Sequence, residues 1–241
     1  MLDYLVSNLP IFLLEFLAAL AGTLYIKKNE NPGYEFRLIV AFLWLSFFVE
    51  ITALYTLVAY YTEYEYFGFV QNTNFRRNFW LYNIRNIIEY LVYIIFFFNQ
   101  LKSSGFKKIM RYIAFLFIPA MILNLIFSGV YFEAYSQFTS LASTFMYVTL
   151  ILRYFYEMLQ SEEILYFYRS MPFYISTGVL LWYLAITPFI IYSKYYERPN
   201  MEFVEIQRLT FFIMNIFFYS WFIFGFIFCS SKRASDKVLT G

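Results

Sequence analysis

Three glutamates lie where carboxylates are expensive. Glu15, Glu50 and Glu89 each interrupt a long apolar run, about ten to thirteen residues from its start. At about 1.5 Å of rise per helical residue, each sits roughly 15–20 Å from that boundary. A hydrocarbon core is about 30 Å thick, so this is near its middle. A charged side chain there costs about 2.5–3.5 kcal/mol. Carboxylates at that level face the interior of a bundle, either protonated or paired. The chemistry open to them is proton transfer or cation binding. Arg85 stands i, i+4 to Glu89, so the two side chains can meet along one helix face. Asn83, Asn86, Glu89, Tyr90 and Tyr93 share an arc of roughly 120° at about 100° per residue. Asn124 and Asn215 fall at similar depth in two further runs. The candidate ligand- or ion-binding residues are therefore Glu15, Glu50, Asn83, Arg85, Asn86, Glu89, Asn124 and Asn215. Two readings stay open. These groups are polar contacts that hold helices together, or they line a cavity or path for a hydrogen-bonding or cationic ligand, a proton or a cation.

Other chemistry is poorly supplied. The chain has no histidine, which removes imidazole catalysis, His-ligated metals and imidazole pH switching. Its single cysteine, Cys229, can form neither an internal disulfide nor a metal cluster, and reads as a small apolar residue at a helix end. No nucleophile stands beside a base in a recognisable motif, so no catalytic residue, metal or cofactor is expected. A lipid-modifying enzyme using a carboxylate base is a weak alternative. Retinal would need a lysine midway through the last apolar run, where there is none. The net charge of +2 is too small to suggest nucleic acid as a partner.

The elements that position these residues follow from composition. Of 241 residues, 61% are hydrophobic, 26% aromatic and only 14% charged. Soluble domains carry about 25% charged residues, so the chain is an integral membrane protein, with the bilayer as its first partner. Seven runs reach the about 20 residues needed to span: 4–26, 37–60, 79–101, 112–131, 137–160, 172–193 and 204–229. Runs such as Leu91 to Phe98 are continuously apolar, unlike the alternating segments of a barrel. The expected fold is all-α: one seven-helix domain over 1–229, then a short cytoplasmic tail over 230–241.

Charge orients the bundle. Lys27, Lys28, Arg37, Lys102, Lys107, Lys108, Arg111, Arg153, Arg169, Lys232, Arg233 and Lys237 fall on one side; Arg76, Arg77, Arg85, Lys194, Arg198 and Arg208 fall on the other. The richer side is cytoplasmic by the positive-inside rule, which places the N-terminus outside and the C-terminus in the cytoplasm. The only early charge is Asp3, so the first span is read as retained rather than as a signal peptide. Tyr60, Tyr61, Tyr64 and Tyr66 cluster at one boundary, and Tyr154, Tyr156, Tyr166 and Tyr168 at the other. They read as interfacial belts, with an aromatic cage for an organic cation as the outer-face alternative. Arg153 and Glu157 form a second i, i+4 pair, expected to snorkel at the inner interface.

The chain also resembles small seven-span membrane proteins of Bacteroidota, related in style to the membrane modules of sensor histidine kinases. The resemblance rests on Glu15, Gly22 and Tyr25 in the first span, and on Phe42-Leu43-Trp44 running to Glu50 in the second. It continues with Asn78-Phe79-Trp80-Leu81-Tyr82-Asn83 leading to Glu89, Pro172-Phe173-Tyr174-Ile175 with Gly178, and Asn215. It implies a sensory module of the bacterial inner membrane. Such a module would bind a ligand or lipid and signal through a separate partner docked on the basic inner loops. Residues 230–241 after Cys229 carry no kinase or DNA-binding motif, so output is expected through that partner. A proton- or cation-conducting channel or transporter built on the three glutamates is the alternative.

Overall fold

A computed structural model describes residues 2–29, 31–193 and 201–239. The side chains of 2–4, 193 and 231–239 are outside that description, as are the expected outer-face Lys194 and Arg198. Among the described residues the chain is helical throughout, with no strand. The helices are α1 (Leu2–Lys28), α2 (Tyr34–Ala53), α3 (Tyr55–Tyr61), α4 (Phe79–Gln100), α5 (Ser104–Phe127), α6 (Val130–Glu133), α7 (Gln137–Leu159), α8 (Met171–Ser193) and α9 (Met201–Leu239). Short 3-10 turns occupy the connections Gly68–Val70, Asn74–Arg76 and Glu162–Arg169. In lipid only internal hydrogen bonding satisfies the backbone. That requirement overrides the strand preference of the many Phe, Tyr and Ile residues.

Among the described residues six helical segments are long and apolar enough to cross a membrane: Leu5–Lys28, Tyr34–Tyr61, Phe79–Gln100, Ser104–Phe127, Met171–Tyr192 and Met201–Ser230. The second combines α2 and α3, which are separated only by Leu54. The expected span 137–160 folds as α7, which is less apolar than these. Its Thr139, Ser143 and Thr144 are buried. Hydroxyls along it bond back to the preceding turn, from Ser140 to the Ser136 carbonyl (3.1 Å), Thr144 to Ser140 (2.9 Å) and Thr149 to Phe145 (2.7 Å). A helix packed among other helices can carry such groups at little cost. The apolar stretch of α9 ends at Ser230, helix continues as far as Leu239 through the expected tail, and 240–241 lie outside the described residues.

Six of the helices close a ring in the order α1, α2, α4, α7, α8, α9 and back to α1. α5 packs outside it, against α4 and α7. Directions follow from paired contacts. α2 runs antiparallel to α4, since Phe42 meets Tyr93 while Ser46 meets Arg85. α7 lies parallel to α4 along its whole length, from Ser136–Asn83 at one end to Glu157–Lys102 at the other. α1 and α9 are also parallel neighbours, since Glu15 meets Tyr219 and Tyr25 meets Phe226. The face where α1 begins is called here the N-terminal face, and that where α9 ends the C-terminal face.

Small residues bring the helices close. A Cβ on Gly225 would stand 2.8 Å from Cβ of Tyr174, and one on Gly22 2.7 Å from Cγ2 of Val40. α1, α5 and α8 continue as helix through Pro10, Pro119 and Pro188.

Candidate functional site: a carboxylate and tyrosine centre

Four of the eight candidate residues converge near mid-bundle. On α4, Arg85 pairs with Glu89 at 3.5 Å. Its Nε donates to Ser46 Oγ on α2 (3.3 Å), and its guanidinium lies 5.4 Å from the Phe42 ring centre. Glu89 also accepts from the Tyr183 hydroxyl on α8 (3.0 Å). Glu15 on α1 accepts from the Tyr219 hydroxyl on α9 (2.5 Å). Glu50 on α2 accepts from the Tyr82 hydroxyl on α4 (2.7 Å). Arg85 is within electrostatic reach of all three carboxylates, and Glu15 and Glu50 repel one another. Asn86 joins only weakly, its Oδ1 3.5 Å from an Arg85 nitrogen.

The charge balance is uneven. Three carboxyl groups face one guanidinium. An insertion cost of about 2.5–3.5 kcal/mol per mid-membrane charge is offset for Glu89 by an ion pair and a hydrogen bond. Glu15 and Glu50 each have one tyrosine hydroxyl, and a bond to a charged group contributes about 1.5–3 kcal/mol. Glu15 is the less satisfied of the two. Its residue is 3% exposed, and its second oxygen, Oε2, has no hydrogen-bond partner. The buried Tyr93 hydroxyl is likewise unpartnered. Among the described residues no three acidic or cysteine groups converge closely enough to share one metal ion.

Access is graded. Glu50 is half-buried, the side chains of Arg85 and Glu89 are 18% and 12% exposed, and Glu15 is nearly sealed. Towards the C-terminal face the interior closes. Phe96, Phe97, Tyr147 and Phe222 are fully buried, with Tyr93 and Phe226 almost so. Tyr93 meets Tyr147 at 5.4 Å and Phe96 meets Phe97 at 5.3 Å. This aromatic floor separates the centre from a cavity of about 300 Å³ near the C-terminal face, lined by Tyr25, Phe36, Gln100, Met171 and Cys229 among others.

The remaining candidates do other work. Asn83 is buried near the N-terminal face. Its amide donates to the carbonyls of Val130 (3.4 Å), Tyr131 (3.1 Å) and Ala134 (2.9 Å), and its Oδ1 accepts from Ser136 N–H (3.0 Å). Asn124 accepts from Ser136 Oγ (2.9 Å) in the same knot. It is therefore not at the level of the glutamates. α5 begins at Ser104 rather than 112, which puts Asn124 in its last turn. Asn215 accepts from Trp182 Nε1 (3.1 Å) and joins α9 to α8.

Sequence reasoning passed over Tyr82, Tyr183 and Tyr219. A usable signal was present for the last two: each stands mid-span, where a phenol hydroxyl has no water to bond and needs a protein partner. Arg153 and Glu157 do pair, at 2.8 Å. Glu157 also accepts the backbone N–H groups of Lys102 (2.6 Å) and Ser103 (3.2 Å), clamping the α4–α5 turn.

The centre has to be understood from its own geometry: no protein-family model, characterised protein or solved structure matches this chain.

Proposed function

We propose that this protein is a seven-span sensory or signalling module whose working part is the Glu15, Glu50, Arg85 and Glu89 centre. The observation that carries the reading is that each carboxylate is tied to a different helix by a tyrosine hydroxyl: α1 to α9, α2 to α4, and α4 to α8. A ligand, lipid or proton that takes one carboxylate therefore biases the helix contact that it holds, and Arg85, within electrostatic reach of all three, couples that contact to the other two, which is what a two-state bundle needs. The closely packed aromatic floor, fully or almost fully buried, favours sensing over conduction. The reading is non-enzymatic.

Seven crossings, with α7 among them, fit the parallel packing of α1 on α9. Neighbouring parallel helices at the two ends of the chain require an even number of reversals between them. The positive-inside rule makes the N-terminal face external. Output passes to a separate partner at the basic C-terminal face, and the resemblance to sensor modules of Bacteroidota inner membranes is consistent with this. The second reading, a proton or cation channel or transporter, draws on the excess of carboxyl groups over guanidinium.

Reconstituted vesicles separate the two. Under an imposed gradient and potential, the sensory reading expects no proton or alkali-cation flux. It also expects hydrogen exchange at the C-terminal-face ends of α1, α2 and α9, which for α2 is its first turn, to change with external pH, and Glu15→Gln to abolish that change. Flux that disappears in Glu89→Gln would establish the transport reading in its place.

A further inference from the structure

α5 differs from every other long helix in standing outside the ring. Its first turns carry Lys107, Lys108 and Arg111, with Lys108 and Arg111 exposed. At about 100° per residue the three fall within an arc of roughly 100°. Two acids of the adjoining turns are already held. Glu163 is paired with Lys102 at 2.6 Å, and Glu157 is held by Arg153 and two backbone amides. Lys107, Lys108 and Arg111 form no ion pair among the described residues. Beside them, on an adjoining and partly overlapping side of α5, Ile109, Tyr112, Phe115 and Leu116 are each 62–69% exposed. Three cations without an ion pair among the described residues thus sit at the end of a helix long and apolar enough to cross a membrane, beside an exposed apolar strip.

We propose that the start of α5 binds an anionic phospholipid, with Lys107, Lys108 and Arg111 holding its phosphate headgroup and the Ile109, Tyr112, Phe115 and Leu116 strip lying along its acyl chains. A free anion would use the cations alone. The apolar strip continuing from them favours a lipid, whose two chemistries match the two halves of the site. Net negative charge selects among lipids, because a zwitterionic headgroup brings its own cation to the three already there.

The test uses the full chain purified in detergent, with phosphatidylglycerol or phosphatidylcholine of identical acyl chains added and bound lipid counted by native mass spectrometry. Retention of phosphatidylglycerol should exceed that of phosphatidylcholine by on the order of 10-fold. The variant Lys107→Gln/Lys108→Gln/Arg111→Gln should lose that preference, while Lys27→Gln/Lys28→Gln, altered on the same face, should keep it. Equal retention of the two lipids by the unaltered protein overturns the proposal. So does a preference that survives in the α5 variant, or one lost alike in the control, which would report general surface charge. Displacement of phosphatidylglycerol by equimolar inorganic phosphate would identify a free-anion site instead. Should the triple variant fail to fold, Lys108→Gln and Arg111→Gln singly, read with spin-labelled phosphatidylglycerol in phosphatidylcholine vesicles, give the same decision: a smaller motionally restricted fraction supports the site, and an unchanged one refutes it.

Discussion

Two buried polar clusters in this bundle have opposite characters. The knot near the N-terminal face, built on Asn83, Ser136 and Asn124, is uncharged. Asn83 spends both its amide and its carbonyl on backbone groups of the turn that leads into α7. The central cluster is charged, with three carboxylates to one guanidinium, and an oxygen of Glu15 is left over. Each cluster joins distant parts of the chain. The saturated one has nothing left with which to respond to a ligand, whereas the unsaturated one can gain a proton, a cation or a hydrogen bond. A polar residue deep in a membrane bundle is thus informative about function only after its partners are counted.

That contrast can be broken experimentally. The largest effect is expected for Asn83→Ala, which strips partners from the Ser136 N–H and from carbonyls of the 130–134 turn. A loss on the order of 3–5 kcal/mol is expected, seen as a lower unfolding temperature in detergent. A near-normal transition would mean that the knot does not hold the turn. Next comes Arg85→Leu, which leaves Glu89 buried beside Tyr183 alone and should cost about 3 kcal/mol. Adding Glu89→Leu should restore most of that loss. If the double variant is no more stable than the single one, Arg85 and Glu89 do not act as a pair. Smaller still, Tyr219→Phe removes one hydrogen bond to a carboxylate and should cost about 1.5 kcal/mol. Glu15→Gln keeps an acceptor for Tyr219 and should change stability by less than about 1 kcal/mol. Should Glu15→Gln prove as damaging as Asn83→Ala, the central cluster would be structural too, and the distinction drawn here would collapse.

Hydropathy was enough to locate six membrane-length helices, because hydrocarbon imposes a minimum apolar length that few other constraints imitate. The expected 79–101 and 172–193 segments fold as Phe79–Gln100 and Met171–Ser193. Charged ends were harder. Lys107, Lys108 and Arg111 hide the first turns of α5 from a hydropathy reading, so the apolar run starts late and Asn124 reads as mid-span although it stands in the last turn. The glutamates themselves stood out because acids are rare in such runs. Their tyrosine partners did not, since a tyrosine suits an interface, a packed core or a hydrogen bond equally well. Which helix faces which is also absent from a one-dimensional pattern. The pairing of Glu15 with Tyr219 depends on ring closure between the first and last long helices, and no local spacing encodes it.

That closure has a consequence for biosynthesis. The partners Glu15 and Tyr219 are 204 residues apart. At roughly 5–20 residues per second of synthesis, α1 waits on the order of ten to forty seconds in the bilayer before α9 exists. Throughout that interval a mid-membrane carboxyl group lacks its hydroxyl partner, and the ring has an open seam. A chain truncated before α9 would expose the same seam permanently, offering membrane quality-control proteases a way to tell an unfinished copy from a finished one.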